Sequence, residues 1–399
     1  MKRLITLAAS ILFAATAFAQ TEIVVWHAYR GGEKAAFEKV VGQYHASQNK
    51  IKVSPLAVPY DAFADKITAA VPRGKGPDIF IYAQDRLGGW VTAGNTIEPI
   101  DFYLDKNLIG RFIPSTMQAM TYRKTIYGLP LNYKVMTMIY NKALVKTPPK
   151  TTAELVTVAK ANTNAASGRF GLVYWYSNWY YHAPLFNAFG GGVFDAAGKP
   201  VVNSAANVKS VDLMMKWAEK DKILPAEPST ALITSLFNEG KAAIVFSGPW
   251  FLEEVSPKIQ WGLAPLPTVN EAGGKPMKPW MTVEGVYIAA PSKKKDQAFE
   301  FAKYLTDTAA TKVLALEGSQ SPANKNVYND PQVAANATLK AFRAQVDNAV
   351  PMPNVPEMTL MWSPVTTAMN AIVQKASSPK AALDKAQKDV VEGIAKLKK

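Results

Sequence analysis

The sequence contains no cysteine. Disulfide bonds are therefore excluded, and the stability of the fold must come from the burial of apolar side chains alone. Exported bacterial proteins that are fixed to a membrane by a lipid carry that lipid on a cysteine. We therefore also expect no lipid anchor.

Histidine is almost as scarce, with three residues among 399. His27, His45 and His182 are far apart, and no H-E-x-x-H or G-x-S-x-G motif accompanies them. A glycosidase needs two carboxylates that flank the scissile bond, but no local signature singles out a pair among the 31 acidic residues. The sequence therefore favours neither a metal site nor catalysis, and we expect no cofactor.

Runs of like charge are also rare, although the chain is basic, with a formal net charge of +14. The longest basic cluster, Ser292–Asp296, holds only three consecutive lysines. Proteins that bind nucleic acids usually concentrate positive charge in runs or on one face. We therefore expect a basic soluble surface and no nucleic-acid partner.

Long apolar runs are confined to the first residues. Lys2 and Arg3 precede the apolar segment 4–15, and Ala17-Phe18-Ala19 has the small-x-small pattern of a cleavage site. These three parts predict a secretory signal peptide over residues 1–19, cleaved near Ala19. No other stretch approaches the roughly 18 apolar residues of a membrane-spanning helix. We expect a protein of the bacterial periplasm, with secretion into the medium as the alternative.

Strand and helix patterns alternate along the rest of the chain, which predicts an α/β fold. Roughly 380 residues remain after cleavage, more than one hydrophobic core usually serves, so we expect two domains. The third predicted strand, 78–82, ends just before Asp85 and Arg86. Because ligands bind at the carboxyl ends of strands in parallel sheets, this position indicates a binding site.

Aromatic residues make up 11% of the chain and cluster in short stretches that also contain polar residues. Six of the eight residues from Tyr174 to Tyr181 are aromatic, and no single strand or helix could bury all of them. Sugar-binding clefts combine ring faces, on which a pyranose stacks, with planar polar side chains that bind hydroxyl groups in pairs. The pattern therefore favours a carbohydrate-binding cleft.

Four collinear motifs resemble those of one family: GPDIFIYAQDRLGGW, YGLPLNYKVMTMIYNK, FNEGKAAIVFSGPW and MPNVPEMTLMW. The chain resembles the periplasmic sugar-binding proteins of ABC importers, typified by the maltose/maltodextrin-binding proteins. The resemblance implies a monomer with the type II two-lobe fold, whose lobes are joined by crossover strands and hold a sugar between them. We expect lobe I at 20–132 plus 286–331 and lobe II at 133–285 plus 332–399. It also implies delivery of the sugar to the membrane subunits of an ABC permease by ligand-driven closure.

The resemblance also implies residues that contact the sugar. Asp85 and Arg86 match hydroxyl contacts, with Tyr82 and Ala83 just before them, and Asp65 matches an acidic contact. Three aromatic residues fall on positions where the family stacks rings on sugar faces: Tyr180, Trp250 and Trp362. Two more residues are expected to line the same groove: Tyr181 and Met352.

The chain departs from the maltose-binding pattern at several of these contacts. Arg30 lies where the pattern has acidic and amide residues, Lys134 replaces a glutamate, and Asn178 replaces an acid. We include these three residues in the expected site. The departures leave maltose or maltodextrin as the first hypothesis, and another oligosaccharide or an anionic sugar as alternatives. A glycoside hydrolase is the alternative from a different class.

Overall fold

The computed structural model describes residues 20–252 and 254–397, so the predicted signal peptide lies outside the described residues. The strands are β1 (Thr21–His27), β2 (Ile51–Ala57), β3 (Ile79–Ala83), β4 (Thr121–Tyr122), β5 (Thr125–Ile126), β6 (Gly128–Val135), β7 (Thr137–Asn141), β8 (Phe170–Val173), β9 (Ala242–Ser247), β10 (Trp261–Ala264), β11 (Thr268–Val269), β12 (Lys275–Pro276), β13 (Trp280–Ile288), β14 (Ser321–Pro322) and β15 (Val350–Pro351). The helices are α1 (Gly31–Ser47), α2 (Tyr60–Ala70), α3 (Leu87–Ala93), α4 (Lys106–Gly110), α5 (Pro114–Ala119), α6 (Thr152–Ala161), α7 (Trp179–Ala188), α8 (Ala205–Glu219), α9 (Thr230–Asn238), α10 (Pro249–Leu252), α11 (Lys295–Leu305), α12 (Thr308–Glu317), α13 (Pro331–Ala335), α14 (Ala337–Val346), α15 (Trp362–Val373) and α16 (Pro379–Leu397).

The first lobe is built on a seven-stranded mixed sheet. Six of its strands lie in the order β14-β6-β13-β3-β1-β2, and β15 pairs with β13. β1 is parallel to β2 and β3, whereas β13 is antiparallel to both β3 and β6. Helices cover both faces of this sheet, because strands such as β3 are buried along their whole length and present apolar side chains on each side.

The second lobe is built on a four-stranded sheet in the order β10-β7-β9-β8. β9 carries the apolar run Ala242–Phe246, and every one of these residues is buried. One face of the sheet packs against a large core formed with α7, α8, α15 and α16, and the other face packs against α9 and α10. Ser204 and Ser229 cap the first turns of α8 and α9 by accepting hydrogen bonds from main-chain N–H groups.

The chain passes between the two sheets three times. β6 of the first sheet runs into β7 of the second, with only Met136 between them. The chain returns along 265–279, between β10 and β13, and leaves again after β15 for α15 and α16, which pack in the second lobe. Two lobes joined by crossover segments are what the resemblance implied, so the predicted fold is confirmed.

The predicted lobe boundaries stay a prediction. Two of them fall inside strands. β6 continues to Val135, beyond the boundary between residues 132 and 133. β13 begins at Trp280 and pairs with β3 and β6 on both sides of the boundary between residues 285 and 286. Local patterns along the chain contain no signal for the point at which a strand leaves one sheet for another.

Candidate functional site

Asp85 and Arg86 follow β3 directly, in the short helical turn Gln84–Arg86. The Nε atom of Arg86 lies 3.4 Å from Oδ2 of Asp85. Asp85 is only 9% exposed, and burial raises its pKa to about 6, although the charge of Arg86 opposes this shift. The Nε atom of Arg86 is itself buried and has no hydrogen-bond partner among the described residues. The pair therefore leaves a donor unsatisfied, which is a costly arrangement unless a ligand supplies an acceptor.

Tyr82 precedes this turn at the end of β3, and its ring belongs to an aromatic stack. The ring of Phe63 lies 5.0 Å away and is nearly parallel, and that of Tyr60 lies 5.2 Å away. Tyr60 is 54% exposed, so the stack reaches the surface beside Asp85. Ala83 is buried and pairs with Glu284 of β13.

A buried polar network lies beside Asp85 and Arg86, on β6 and β13. Lys134 Nζ lies 3.3 Å from Glu33 and 3.1 Å from Glu284. The other oxygen of Glu284 accepts hydrogen bonds from the hydroxyl of Tyr29, at 3.0 Å, and from the amide of Asn132, at 2.8 Å. Burial alone would lower the pKa of Lys134, but the charges and hydrogen bonds of Glu284 and Glu33 outweigh burial and raise it.

We call this side of the site the polar wall, defined by Tyr82, Asp85, Arg86, Lys134 and Glu284. Its Lys134 is a cation shared by two carboxylates, so Lys134, Glu33 and Glu284 together carry a net negative charge when all three are ionised. Sequence reasoning missed Glu284. The only local signal was a single carboxylate within an otherwise apolar strand, Trp280–Ile288.

Four rings from the second lobe form the opposite side, which we call the aromatic wall: Tyr180, Tyr181, Trp250 and Trp362. The ring of Trp280, on β13, is buried in the core and packs against Tyr180 and Trp362. The indole N–H of Trp250 donates to the hydroxyl of Tyr181 at 3.0 Å, and the ring of Trp362 lies edge-on to Trp280 at 5.9 Å. The rings of Trp250 and Trp280 lie about 6 Å from that of Tyr180.

Gly248 is required for the position of Trp250. A Cβ atom at residue 248 would lie 2.2 Å from the six-membered ring of Trp250, so any larger residue would displace that ring. The sequence Ser247-Gly248-Pro249-Trp250 therefore delivers the indole from the end of β9 into the aromatic wall.

The two walls meet at Tyr180 and β13. The hydroxyl of Thr282, on the same strand as Glu284, lies 3.5 Å from the hydroxyl of Tyr180. Burial raises the pKa of Tyr180, the hydrogen bond from Thr282 and the charge of Lys134 lower it, and the charge of Asp85 raises it. Tyr180 is therefore close to Lys134 and Asp85, and its end of the aromatic wall adjoins the polar wall.

The structure places four other predicted site residues in different surroundings. Arg30 and Asp65 are exposed, Arg30 just before α1 and Asp65 on α2. Asn178 is the N-terminal cap of α7, and its side chain accepts a hydrogen bond from the N–H of Tyr180 at 2.9 Å. Met352 is buried in the core, and its main-chain N–H donates to the carbonyl of Met281. Their roles in binding stay predictions.

A groove of about 870 Å³ lies elsewhere, on the outer side of the second lobe between α8 and the turn that joins α15 to α16. Its lining contains none of the residues of either wall. Volume alone therefore does not mark the site, whereas the convergence of charges and rings does. Among residues 20–252 and 254–397, no cluster of three or more His, Asp or Glu could hold a metal ion, and no helix is long and apolar enough to cross a membrane.

Comparison with known proteins identifies the family of the chain. A family model described as "Bacterial extracellular solute-binding protein" matches residues 30–312. The chain belongs to that family. It is therefore an exported solute-binding protein, in a family of binding proteins rather than enzymes.

The similarity of this solute-binding protein to individual relatives covers nearly its whole length. It is 30% identical to the maltotriose-binding protein of Pyrococcus abyssi, over 94% of this chain and 82% of the relative. It is also 30% identical to the galactooligosaccharide-binding protein of Bacillus subtilis, over 92% of this chain and 88% of the relative. A solved cyclo/maltodextrin-binding protein in complex with maltotetraose has a TM-score of 0.84 and 32% identity, over 94% of this chain and 97% of that one.

Proposed function

We propose that this protein binds a neutral oligosaccharide of the maltose/maltodextrin type between the polar and aromatic walls. It would act as a monomer in the periplasm, with its signal peptide cleaved near Ala19 and no lipid anchor. It would deliver the sugar to the membrane subunits of an ABC permease. The observation that carries the proposal is the buried, unsatisfied Nε of Arg86 beside Asp85, in a cleft whose other side is made of rings.

Each wall would take a different part of the sugar. Pyranose rings have apolar C–H faces that stack on aromatic rings, and hydroxyl groups at their edges. Asp85 would accept from a hydroxyl group, and Arg86 would donate to one, which would satisfy its Nε atom. Lys134 has three N–H donors and shares two of them with Glu33 and Glu284, so a third is available for a sugar oxygen.

Isothermal titration calorimetry with maltose and maltotriose tests this function. We expect both to bind, with maltotriose the tighter ligand because a third glucosyl unit adds contact with the aromatic wall. Each should also raise the melting temperature, since a ligand that binds only the folded state stabilises it. If neither sugar gives heat or a thermal shift, this specificity is wrong.

A galactooligosaccharide is the second candidate, favoured by the similarity to the Bacillus subtilis protein. Ring stacking tolerates a change of sugar, whereas bonds to hydroxyl groups depend on their orientation. A titration with galactotriose run beside the maltotriose titration separates the two. Tighter binding of galactotriose would transfer the assignment to that sugar.

The other two alternatives are less compatible with the geometry. An anionic sugar would meet two carboxylates around Lys134, whose charge they already compensate. A glycoside hydrolase would need a second free carboxylate beside Asp85, but Glu284 already binds Tyr29, Asn132 and Lys134. We propose that the protein is not an enzyme. Incubation with maltotriose and an assay for new reducing ends checks this, with an unchanged sugar as the expected result.

A further inference from the structure

Gln84 is fully buried. In the sequence it lies between Ala83, the last residue of β3, and the charged residue Asp85. Its side-chain amide makes three hydrogen bonds to main-chain groups. The nitrogen donates to the carbonyls of Met281, at 3.3 Å, and Met352, at 3.2 Å. The oxygen accepts from the N–H of Val283 at 2.7 Å. Both N–H donors of this amide are therefore used within the protein, and its oxygen already accepts one bond.

These bonds lie where the sheet of the first lobe changes partners. The ladder between β3 and β13 ends at the pair Ala83 and Glu284. Farther along β13, β15 takes the place of β3, and the N–H of Met352 donates to the carbonyl of Met281. Gln84 fills the corner between the end of β3, β13 and β15, and its side chain continues the hydrogen bonding that the main chain of β3 no longer supplies.

Both segments that Gln84 binds lead to the second lobe. β13 enters from the crossover segment 265–279 and carries Trp280 and Thr282, which contact Trp362 and Tyr180. Met352 begins the third crossover, which continues to Trp362 at the start of α15. One amide, adjacent in sequence to Asp85, is therefore bonded to the strand that follows one connection between the lobes and to the first residue of another.

We infer that Gln84 is a positioning residue that sets the relative orientation of the two lobes, and with it the distance between the polar and aromatic walls. The inference concerns the protein with and without ligand, and it rests on the proposed function only for its binding measurement. A methionine at residue 84 would keep the volume and remove all three bonds. A glutamate would keep the acceptor for Val283 and lose the donors to both carbonyls.

Distances between spin labels test this directly, since a chain without cysteine accepts labels at engineered sites. Lys106→Cys on the first lobe and Lys220→Cys on the second place nitroxides at exposed positions. Double electron–electron resonance then measures the distance between the lobes without ligand. We expect one narrow distribution in the parent protein and a broader or shifted one in Gln84→Met and in Gln84→Glu.

Gln387→Met is the matched control. This glutamine also bridges main-chain groups, donating to the carbonyl of Pro200 and accepting from the N–H of Val202, but all of these residues belong to the second lobe. Its loss should lower the melting temperature without changing the distance between the labels. A purely structural role for Gln84 would give the same result, so unchanged distributions in both Gln84 variants would overturn the inference.

Binding gives a second readout. We expect Gln84→Met to weaken maltotriose binding roughly tenfold (about 1.4 kcal/mol), mainly through faster dissociation, and Gln387→Met to leave it unchanged. If the parent protein does not bind maltotriose, the proposed function fails, and the label distances still decide the role of Gln84. If affinity and distances both stay at the parent values in the Gln84 variants, the amide has only a structural role in the core.

Discussion

The polar wall and the aromatic wall are held in place by different forces. In the polar wall, Lys134 and Glu284 are bonded to each other and to Tyr29, just after β1, Glu33 on α1 and Asn132 on β6. Their positions are therefore set by several mutual contacts. In the aromatic wall, the rings touch mainly through faces and edges, and the hydroxyls of Tyr180 and Tyr181 make hydrogen bonds to neighbouring side chains.

This difference separates two tasks. Hydrogen bonds are directional and costly to leave unmade, so a preformed polar wall would select the orientation of sugar hydroxyl groups. Ring stacking depends on contact area and tolerates shifts along the sugar chain, so the aromatic wall would supply affinity for sugars of different length. If so, damage to the polar wall should affect folding as well as binding, whereas damage to the aromatic wall should affect binding most.

The largest expected effect comes from Lys134→Met, which removes the cation shared by Glu33 and Glu284. Glu284, which is 8% exposed, would then stay buried and lose this counter-charge, and we expect a loss of roughly 3 kcal/mol in the free energy of unfolding. Urea denaturation measures it. The matched control is Lys39→Met, because Lys39 also pairs with a glutamate, Glu317, but at the surface. There the expected loss is below about 1 kcal/mol, and equal losses in the two variants would contradict the distinction.

Asp85→Asn should stabilise the free protein while weakening binding. The folded-state pKa of Asp85, about 6, is above its ordinary value of 3.8, so the folded protein binds the proton more tightly than the unfolded chain does. The stability of the protein should therefore fall as the pH rises from about 4 to 6. Above pH 6 the full free-energy cost of burying the ionised carboxylate should be present. Two pKa units correspond to about 2–3 kcal/mol, and we expect Asp85→Asn to recover about 2 kcal/mol of this at pH 7.5.

Melting temperatures at pH 4.5 and pH 7.5 check the sign. The gain from Asp85→Asn should be large at pH 7.5 and small at pH 4.5, whereas Asp347→Asn, at an exposed pair with Arg343, should change little at either pH. Maltotriose affinity should fall in Asp85→Asn, because a carboxylate accepts stronger hydrogen bonds than an amide. A variant that is less stable than the parent at both pH values would show that ionised Asp85 contributes to folding.

The aromatic wall is tested by Trp362→Ala. We expect maltotriose affinity to fall by roughly 1–3 kcal/mol through lost stacking and burial, as measured by calorimetry. The control is Phe102→Ala, which removes a ring that is 94% exposed and that belongs to neither wall. An unchanged affinity in Trp362→Ala would remove Trp362 from the site.

Local patterns predicted the parts of this site that a single segment determines. The apolar run of β3 followed by Asp85-Arg86 was enough to place a charged pair at the end of a strand. The cluster Tyr174–Tyr181 was recognised as a unit, but its rings divide in the structure. Tyr180 and Tyr181 belong to the aromatic wall, and the half-buried ring of Trp175 packs against Tyr181. Three other members of the cluster are core residues: Tyr174, Tyr176 and Trp179. α7 begins at Trp179 and turns the side chains that follow toward the site.

Contacts between distant segments could not be predicted in the same way. Glu284 lies 152 residues from Asn132, with which it pairs across β13 and β6, and 255 residues from Tyr29, which follows β1 in the same sheet. The partners of Lys134 were equally hidden, so its charge, together with that of Arg30, left an anionic sugar as an alternative. The structure shows Glu33 and Glu284 beside this lysine, so its charge is compensated within the protein and it can act as a hydrogen-bond donor.

The smallest expected effect distinguishes two roles for Asn178, a predicted ligand contact that the structure shows as the cap of α7. If capping is its task, Asn178→Ala should cost about 1 kcal/mol of stability, while Asn178→Asp, which keeps the accepting oxygen, should cost little. The cap holds Tyr180 in place, because the N–H of Tyr180 donates to it. Maltotriose affinity should therefore stay close to the parent value in Asn178→Asp, which keeps the cap. Urea denaturation and calorimetry of both variants separate the roles. A large loss of affinity in Asn178→Asp with full stability would instead place the amide nitrogen on the sugar, and would extend directional recognition to the aromatic wall.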